Sequence, residues 1–170
     1  MTDEDFRDAF QRHKAVVYRF AYRMTGSSST AEDIVQDCFL ILWRKPKAYD
    51  SGRGGMQAFL LGIARKLVLK RWRDERPHEM LEDDAVVSQP LNVREEGRAE
   101  AVERAILMLP PLQREAVVLA EYEEMSLEEI AQATQAELAA VKSRLHRGRQ
   151  NLRRLLAPLL ESRGVFNGTK

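Results

Sequence analysis

The apolar positions near the start of the chain, Phe6, Phe10, Val17, Phe20, Ala21 and Met24, fall at helical intervals. This is the spacing of one helix face, and it ends at the turn Gly26–Ser29. Thr30 with Asp33 has the form of a helix start, and Ile34, Val35, Cys38, Phe39 and Leu42 carry an apolar stripe until Pro46 stops it. A glycine-rich loop, Asp50-Ser51-Gly52-Arg53-Gly54-Gly55, leads into a third helix from about Met56 to Arg76. Further on, Ala101, Val102, Ala105, Ile106 and Leu109 mark a fourth helix, and Pro110-Pro111 opens a fifth through about Glu124. Ser126 with Glu129 is a capping-box signal for a short sixth, Leu127 to Ala133, before a longer seventh from about Glu137 to Leu156. No alternating strand pattern competes. The expectation is an all-α chain: two small helical domains joined by an acidic linker, the C-terminal one a helix-turn-helix.

Proline and charge mark the division. The six prolines sit between the periodic stretches, where a missing N–H and a fixed φ do least harm. From Pro77 to Gly97, two prolines accompany Glu82, Asp83, Asp84, Glu95 and Glu96 with no sustained apolar period. These residues, 77–97, read as a flexible linker between a domain over 1–76 and one over 98–160, with a patternless tail at 161–170. Domains of this size have limited cores, so partners are expected to supply much of their order. The net charge is only +1, yet residues 1–76 carry +5, 77–103 carry −6 and 104–170 carry +2. Basic blocks flanking an acidic one point toward a polyanion more than the overall balance does.

Composition removes several classes. With 44% hydrophobic and 31% charged residues, the chain can fold and has no run fit to insert in a membrane. No charged-then-apolar leader opens it, so a cytoplasmic protein is expected. Its single cysteine, Cys38, excludes an internal disulfide and a multi-cysteine zinc site, and reads as core. His13, His78 and His146 have no helical pair among them. No metal, cofactor or enzymatic activity is expected.

Two helices carry the candidate chemistry. On the third, Leu60, Ile63, Ala64 and Leu67 share one face, while Arg65, Lys66, Lys70, Arg73 and Arg76 spread over the other, flanked by Trp72. Arg71 lies nearer the apolar side. Cations for phosphates beside a ring for an unstacked base suit single-stranded nucleic acid; a solvated helix with Trp72 at the core edge gives the same pattern. On the seventh, Val141, Leu145, Gly148, Leu152 and Leu155 form a narrow apolar stripe, and six basic residues with no acidic one lie between Lys142 and Arg154. A short capped helix, a tight turn at Thr134–Ala136 and a basic helix make a helix-turn-helix, whose second helix enters the major groove. Gln135 stands where that turn often carries glycine.

With these residues laid out, the chain resembles the extracytoplasmic-function group of bacterial RNA polymerase sigma factors. The stretch from Ala31 to Trp43, followed by the loop and Phe59 to Lys66, is similar to the family's second domain. Leu109 to Glu115, Met125 to Ala131 and Val141 to Arg149 are similar to its fourth. The resemblance implies a protein that binds core RNA polymerase and directs promoter-specific initiation. Asp33, Gln36, Asp37 and Trp43 match the motif that contacts polymerase. Asp50, Ser51, Gly52, Arg53 and Gly54 match the loop that receives a flipped base of the −10 element, with Arg65, Lys66, Lys70, Trp72 and Arg73 holding the melted strand. Lys142, Ser143, His146 and Arg147 match positions that read the −35 element, with Arg149 and Arg153 on phosphates. Lys66 stands where the family usually has asparagine, Lys70 where aspartate is common, and Ala140 replaces a frequent threonine. The resemblance also implies an anti-sigma protein as a partner. The alternative is a stand-alone helix-turn-helix regulator, which would leave the Asp33–Trp43 motif and the Trp72 helix without a task.

Overall fold

The computed structural model describes residues 1–76, 85–87, 89–92 and 97–161. The linker acids Glu82, Asp83, Asp84, Glu95 and Glu96, together with His78 and the tail beyond 161, lie outside them. Among the described residues every regular element is helical: α1 Asp3–Thr25, α2 Ser28–Arg44, α3 Met56–Glu75, α4 Arg98–Met108, α5 Pro111–Val117, α6 Leu127–Thr134 and α7 Leu138–Leu155. Two short 3-10 turns, Pro46–Ala48 and Ser51–Arg53, bridge α2 to α3.

Local chemistry explains the boundaries. Thr2 Oγ1 accepts from the Asp5 amide at 3.1 Å while the Asp5 carboxylate accepts from the Thr2 amide at 2.8 Å, a reciprocal cap at the start of α1. The Thr2 amide and the Thr2 hydroxyl, which also donates to the carboxylate at 2.8 Å, hold the Asp5 carboxyl below the usual carboxylate range. α1 ends at Gly26, whose φ of +70° is the left-handed region glycine favours. α2 begins earlier than the Thr30 signal, because the Ser27 hydroxyl accepts from the Thr30 amide at 3.2 Å and acts as the cap. The fifth helix is shorter than its apolar spacing predicts: the chain loosens into a π turn at Val118–Tyr122.

Val17, Phe20 and Met24 of α1, Ile34, Cys38 and Leu42 of α2, and Leu60, Ala64 and Val68 of α3 are fully buried and form the N-terminal core. The Cys38 thiol, donating to the Leu60 carbonyl at 3.4 Å, is pushed up to about 12 by burial, so it belongs to this core. Leu91, Ala105, Leu109, Ala116, Val117, Leu145 and Leu155 form a second core within the C-terminal half. Both helical domains are therefore present.

They are not held apart. Ile106, Val118, Leu119, Ile130 and Val141 of the C-terminal half join the N-terminal core in one continuous cluster. Fully burying a side chain of this size is worth about 1.5–3 kcal/mol. The limited cores of two small domains are thus completed by each other. Two glycines admit the contact. A Cβ on Gly26 would lie 3.0 Å from Leu107 of α4, and one on Gly62 would lie 3.3 Å from the Ala133 carbonyl of α6.

The described part of the linker is strapped to the C-terminal half. Leu91 is buried and its amide donates to the Leu155 carbonyl at 3.0 Å. Gln113 and Asn151 each donate from their side-chain amides to the Ala85 carbonyl at 3.0 Å, and the Val87 amide donates to Asn151 Oδ1 at 3.2 Å.

Candidate nucleic-acid interface

The helix-turn-helix is built from α6 and α7. Ser126 accepts from the Glu129 amide at 3.1 Å and Glu129 accepts from the Ser126 amide at 2.8 Å, the reciprocal cap read from the sequence. Gln135 makes the turn in the left-handed region at φ +54°, the conformation glycine would adopt more cheaply. α7 turns Val141, Leu145, Gly148 and Leu155 inward. Asn151 also lies in that buried row, donating to Gln113 Oε1 at 2.6 Å, while Leu152 is half-buried beside it. Lys142, Ser143, His146 and Arg153 are exposed on the outer face, and Arg147 is half-buried. Arg149 is exposed but engaged, with its Nε 2.7 Å from Glu121 Oε1. The result is an outward basic surface on a helix whose opposite side is firmly packed, as groove insertion requires.

The second basic surface lies on α3 and the loop before it. Asp50 Oδ1 accepts from the Gly52 amide at 2.9 Å and shapes the turn over Ser51–Arg53. Asp50, Ser51, Gly52, Arg53 and Gly54 are all exposed. Lys66, Lys70 and Arg73 project to solvent from α3. Arg65 and Trp72 do not join them. Arg65 Nε pairs with Glu115 Oε2 of α5 at 2.8 Å, and only 13% of its side chain is exposed. The Trp72 ring carries the Arg114 guanidinium 5.1 Å from its centroid.

On α2, Asp33, Gln36 and Leu40 are exposed and Asp37 is half-exposed, so the polar strip expected from helical spacing exists. Trp43 extends it: 49% exposed, it meets the Phe6 ring edge-on, with ring centroids 4.9 Å apart. Arg71 of α3 reaches toward this strip, 3.9 Å from Asp33 Oδ2 and 3.7 Å from Asp37 Oδ2. That explains its place off the basic face of α3.

Sequence reasoning missed the residues that join the halves. Arg114 donates to the carbonyls of Met24 at 2.5 Å and Leu109 at 2.9 Å, and burial lowers its pKa to about 10. Gln132 of α6 donates to the Arg53 carbonyl. Arg23 stacks on Tyr122, 3.9 Å from its centroid, and faces Glu123 at 3.8 Å. Arg114 and Glu115 stand in a motif that could have drawn attention, but nothing in its pattern shows that they reach the other domain. Among the described residues no helix is long and apolar enough to cross a membrane, and no group of three His, Cys, Asp or Glu could hold a metal ion.

Comparison with known proteins finds two family matches in order along the chain: Sigma-70 region 2 over residues 9–78 and Sigma-70, region 4 over residues 99–152. The ECF RNA polymerase sigma factor SigE of Mycolicibacterium smegmatis is 34% identical over 153 residues, covering 86% of this chain and 60% of that protein. This chain therefore spans somewhat less than two thirds of that relative's length. SigW of Bacillus subtilis, also an ECF RNA polymerase sigma factor, is 30% identical over 173 residues, covering 92% of each chain. Among solved structures, the sigma factor RpoE from Bartonella quintana, in complex with the anti-sigma factor NepR, superposes with a TM-score of 0.69. It is 26% identical, and the match covers 91% of this chain and 98% of that one.

Proposed function

The chain belongs to the extracytoplasmic-function group of RNA polymerase sigma factors, and from that membership we propose how its surfaces divide the work of promoter-specific initiation. Residues 1–76 dock on core RNA polymerase and melt and hold the −10 element. Residues 98–160 read the −35 element in duplex form. Residues 77–97 tether the two, and 161–170 form a tail. Asp33, Gln36, Asp37 and Trp43 make the polymerase contact. The loop Asp50, Ser51, Gly52, Arg53 and Gly54 receives a flipped base, while Arg65, Lys66, Lys70 and Arg73 take phosphates and Trp72 offers a stacking face. Lys142, Ser143, His146 and Arg147 face the major groove, with Arg149 and Arg153 on the backbone.

The observation that carries this reading is the coexistence, in one chain, of an exposed polar and aromatic strip on α2 and a basic outer face on α7. A stand-alone regulator would need only the second. The division is chemically sensible: a rigid helix suits intact duplex, whereas a loop beside a cationic helix suits bases already out of the stack. The protein acts as a non-enzymatic initiation factor in the cytoplasm, where RNA polymerase works. An anti-sigma partner is supported by the solved complex of RpoE with NepR. The test is transcription from a defined promoter by purified core polymerase with and without the chain. Initiation only in its presence supports the reading; equal promoter binding by the chain with and without polymerase would favour a stand-alone regulator.

A further inference from the structure

We propose that the linker is part of the reading domain: Gln113 and Asn151 clasp its backbone, and this clasp positions α7 for the −35 element. The inference rests on the −35 assignment above and makes these two amides positioning residues for it. They are 0% and 1% exposed, so neither can touch DNA directly. Buried amides need hydrogen-bond partners, and the linker supplies them. Asn151 uses its whole capacity of two donors and two acceptor sites. Its Nδ2 donates to the Ala85 carbonyl at 3.0 Å and to Gln113 Oε1 at 2.6 Å. Its Oδ1 accepts from the Val87 amide at 3.2 Å and from Arg154 Nη1 at 3.1 Å. Gln113 Nε2 donates to the same Ala85 carbonyl at 3.0 Å.

The rest of the contact has the form of a built peptide site. The two amides read main-chain atoms, a carbonyl and the N–H two residues on, as in recognition of an extended peptide by its backbone. Leu91 adds an apolar anchor: it is 5% exposed, in the same cluster as Leu109, Leu145 and Leu155. Its amide donates to the carbonyl of Leu155, the last residue of α7, where a helix has no partner of its own to offer. Gly148 lets α5 close on α7 at this place, since a Cβ there would lie 3.2 Å from the Gln113 carbonyl oxygen. The linker thus grips α7 at Asn151 and Leu155 and α5 at Gln113. Asn151 stands about one helical turn beyond Arg147, on the opposite, buried side of the same helix. Without the linker, Asn151 loses two of its bonds in an apolar setting, and α7 must shift toward water to replace them. That shift tilts Lys142, Ser143, His146 and Arg147 away from the base edges they read.

The test uses the full chain with core polymerase, at a promoter that the chain directs and at the same promoter with its −35 sequence scrambled. Proline has no N–H, so Val87→Pro deletes the bond to Asn151 Oδ1 from within the linker, where a plain tether would accept the change. The ratio of initiation at the intact and scrambled promoters should fall at least fivefold, with affinity for core polymerase unchanged. Val87→Ala keeps the amide and should keep the native ratio, while Asn151→Leu should reproduce the proline variant. A native ratio in Val87→Pro would overturn the proposal, as would an equal fall in Val87→Ala. Amide exchange gives a second readout. Val87→Pro should speed exchange of the Leu91 amide and of the α7 amides from Asn151 to Leu155 at least tenfold, leaving α1 to α3 as protected as before. If the native chain initiates equally at both promoters, the −35 assignment fails and exchange alone judges the clasp: faster exchange along α7 supports it, and unchanged protection refutes it.

Discussion

A single backbone position can tighten or strain the helix-turn-helix, and Gly148 and Gln135 do so in opposite ways. At Gly148 an added Cβ would lie 2.7 Å from Val117 Cγ2 and 3.2 Å from the Gln113 carbonyl oxygen. Val117 is buried and β-branched, and the other neighbour is backbone, so neither yields easily. Alanine would gain about 1 kcal/mol in helix propensity, against about 1–3 kcal/mol for overpacking. Gly148→Ala should therefore lower the melting temperature. Gln135, at φ +54°, carries a left-handed cost of about 1–2 kcal/mol. Gln135→Gly removes it at an entropic loss of about 0.4–1 kcal/mol in the unfolded chain. The expected net is a gain of about 0.5–1 kcal/mol, measured by denaturant titration, with the −35 face unaltered.

At the scale of elements, the turn after α5 carries a charge that folding does not favour. Burial pushes the Glu123 carboxyl above the usual range, against the opposing pull of Arg19 and Arg23. Folded, it keeps its proton to higher pH than it does unfolded. The associated stability is fully present below the ordinary glutamate pKa of 4.5 and is lost as pH rises through the raised folded value. Gln mimics the protonated acid, so Glu123→Gln should raise the melting temperature at pH 7 and leave it little changed near pH 4. The position of this turn was not legible in the sequence. The helices themselves were, because sets such as Phe6 to Met24 or Leu60 to Leu67 keep their period over two turns or more. The π turn at Val118–Tyr122 continues the apolar run Ala116–Ala120, with no glycine or proline to announce it. Leu91 escaped notice for a related reason: one apolar residue among polar ones has no period, though it is buried against α7.

For the molecule as a whole, an amphipathic pattern shows which face of a helix is covered but not what covers it. Ile106 and Val141 read as apolar positions of their own helices, yet with Val118, Leu119 and Ile130 they join the core of the other half. The motif residues on α2, α3 and α7 were legible because their types and spacing follow one helix at a time. The link of Arg65 to Glu115, fifty positions apart, follows none. The α2 strip lies outside the contact between the two halves, so polymerase docking can be tested without disturbing that contact. Asp33 has a 61% exposed side chain and its 3.9 Å contact with Arg71 is a surface pair, worth about 0–1 kcal/mol. Gln36 is exposed as well. Asp33→Arg with Gln36→Ala should therefore melt within a few degrees of the native chain while losing at least tenfold in affinity for core polymerase. Binding of single-stranded −10 DNA by the free chain should be unchanged, because neither residue touches α6 or the loop. If polymerase affinity survived this reversal of charge, the docking surface would have to lie elsewhere on the N-terminal half. If single-strand binding fell as well, α2 would serve DNA rather than the enzyme that melts it.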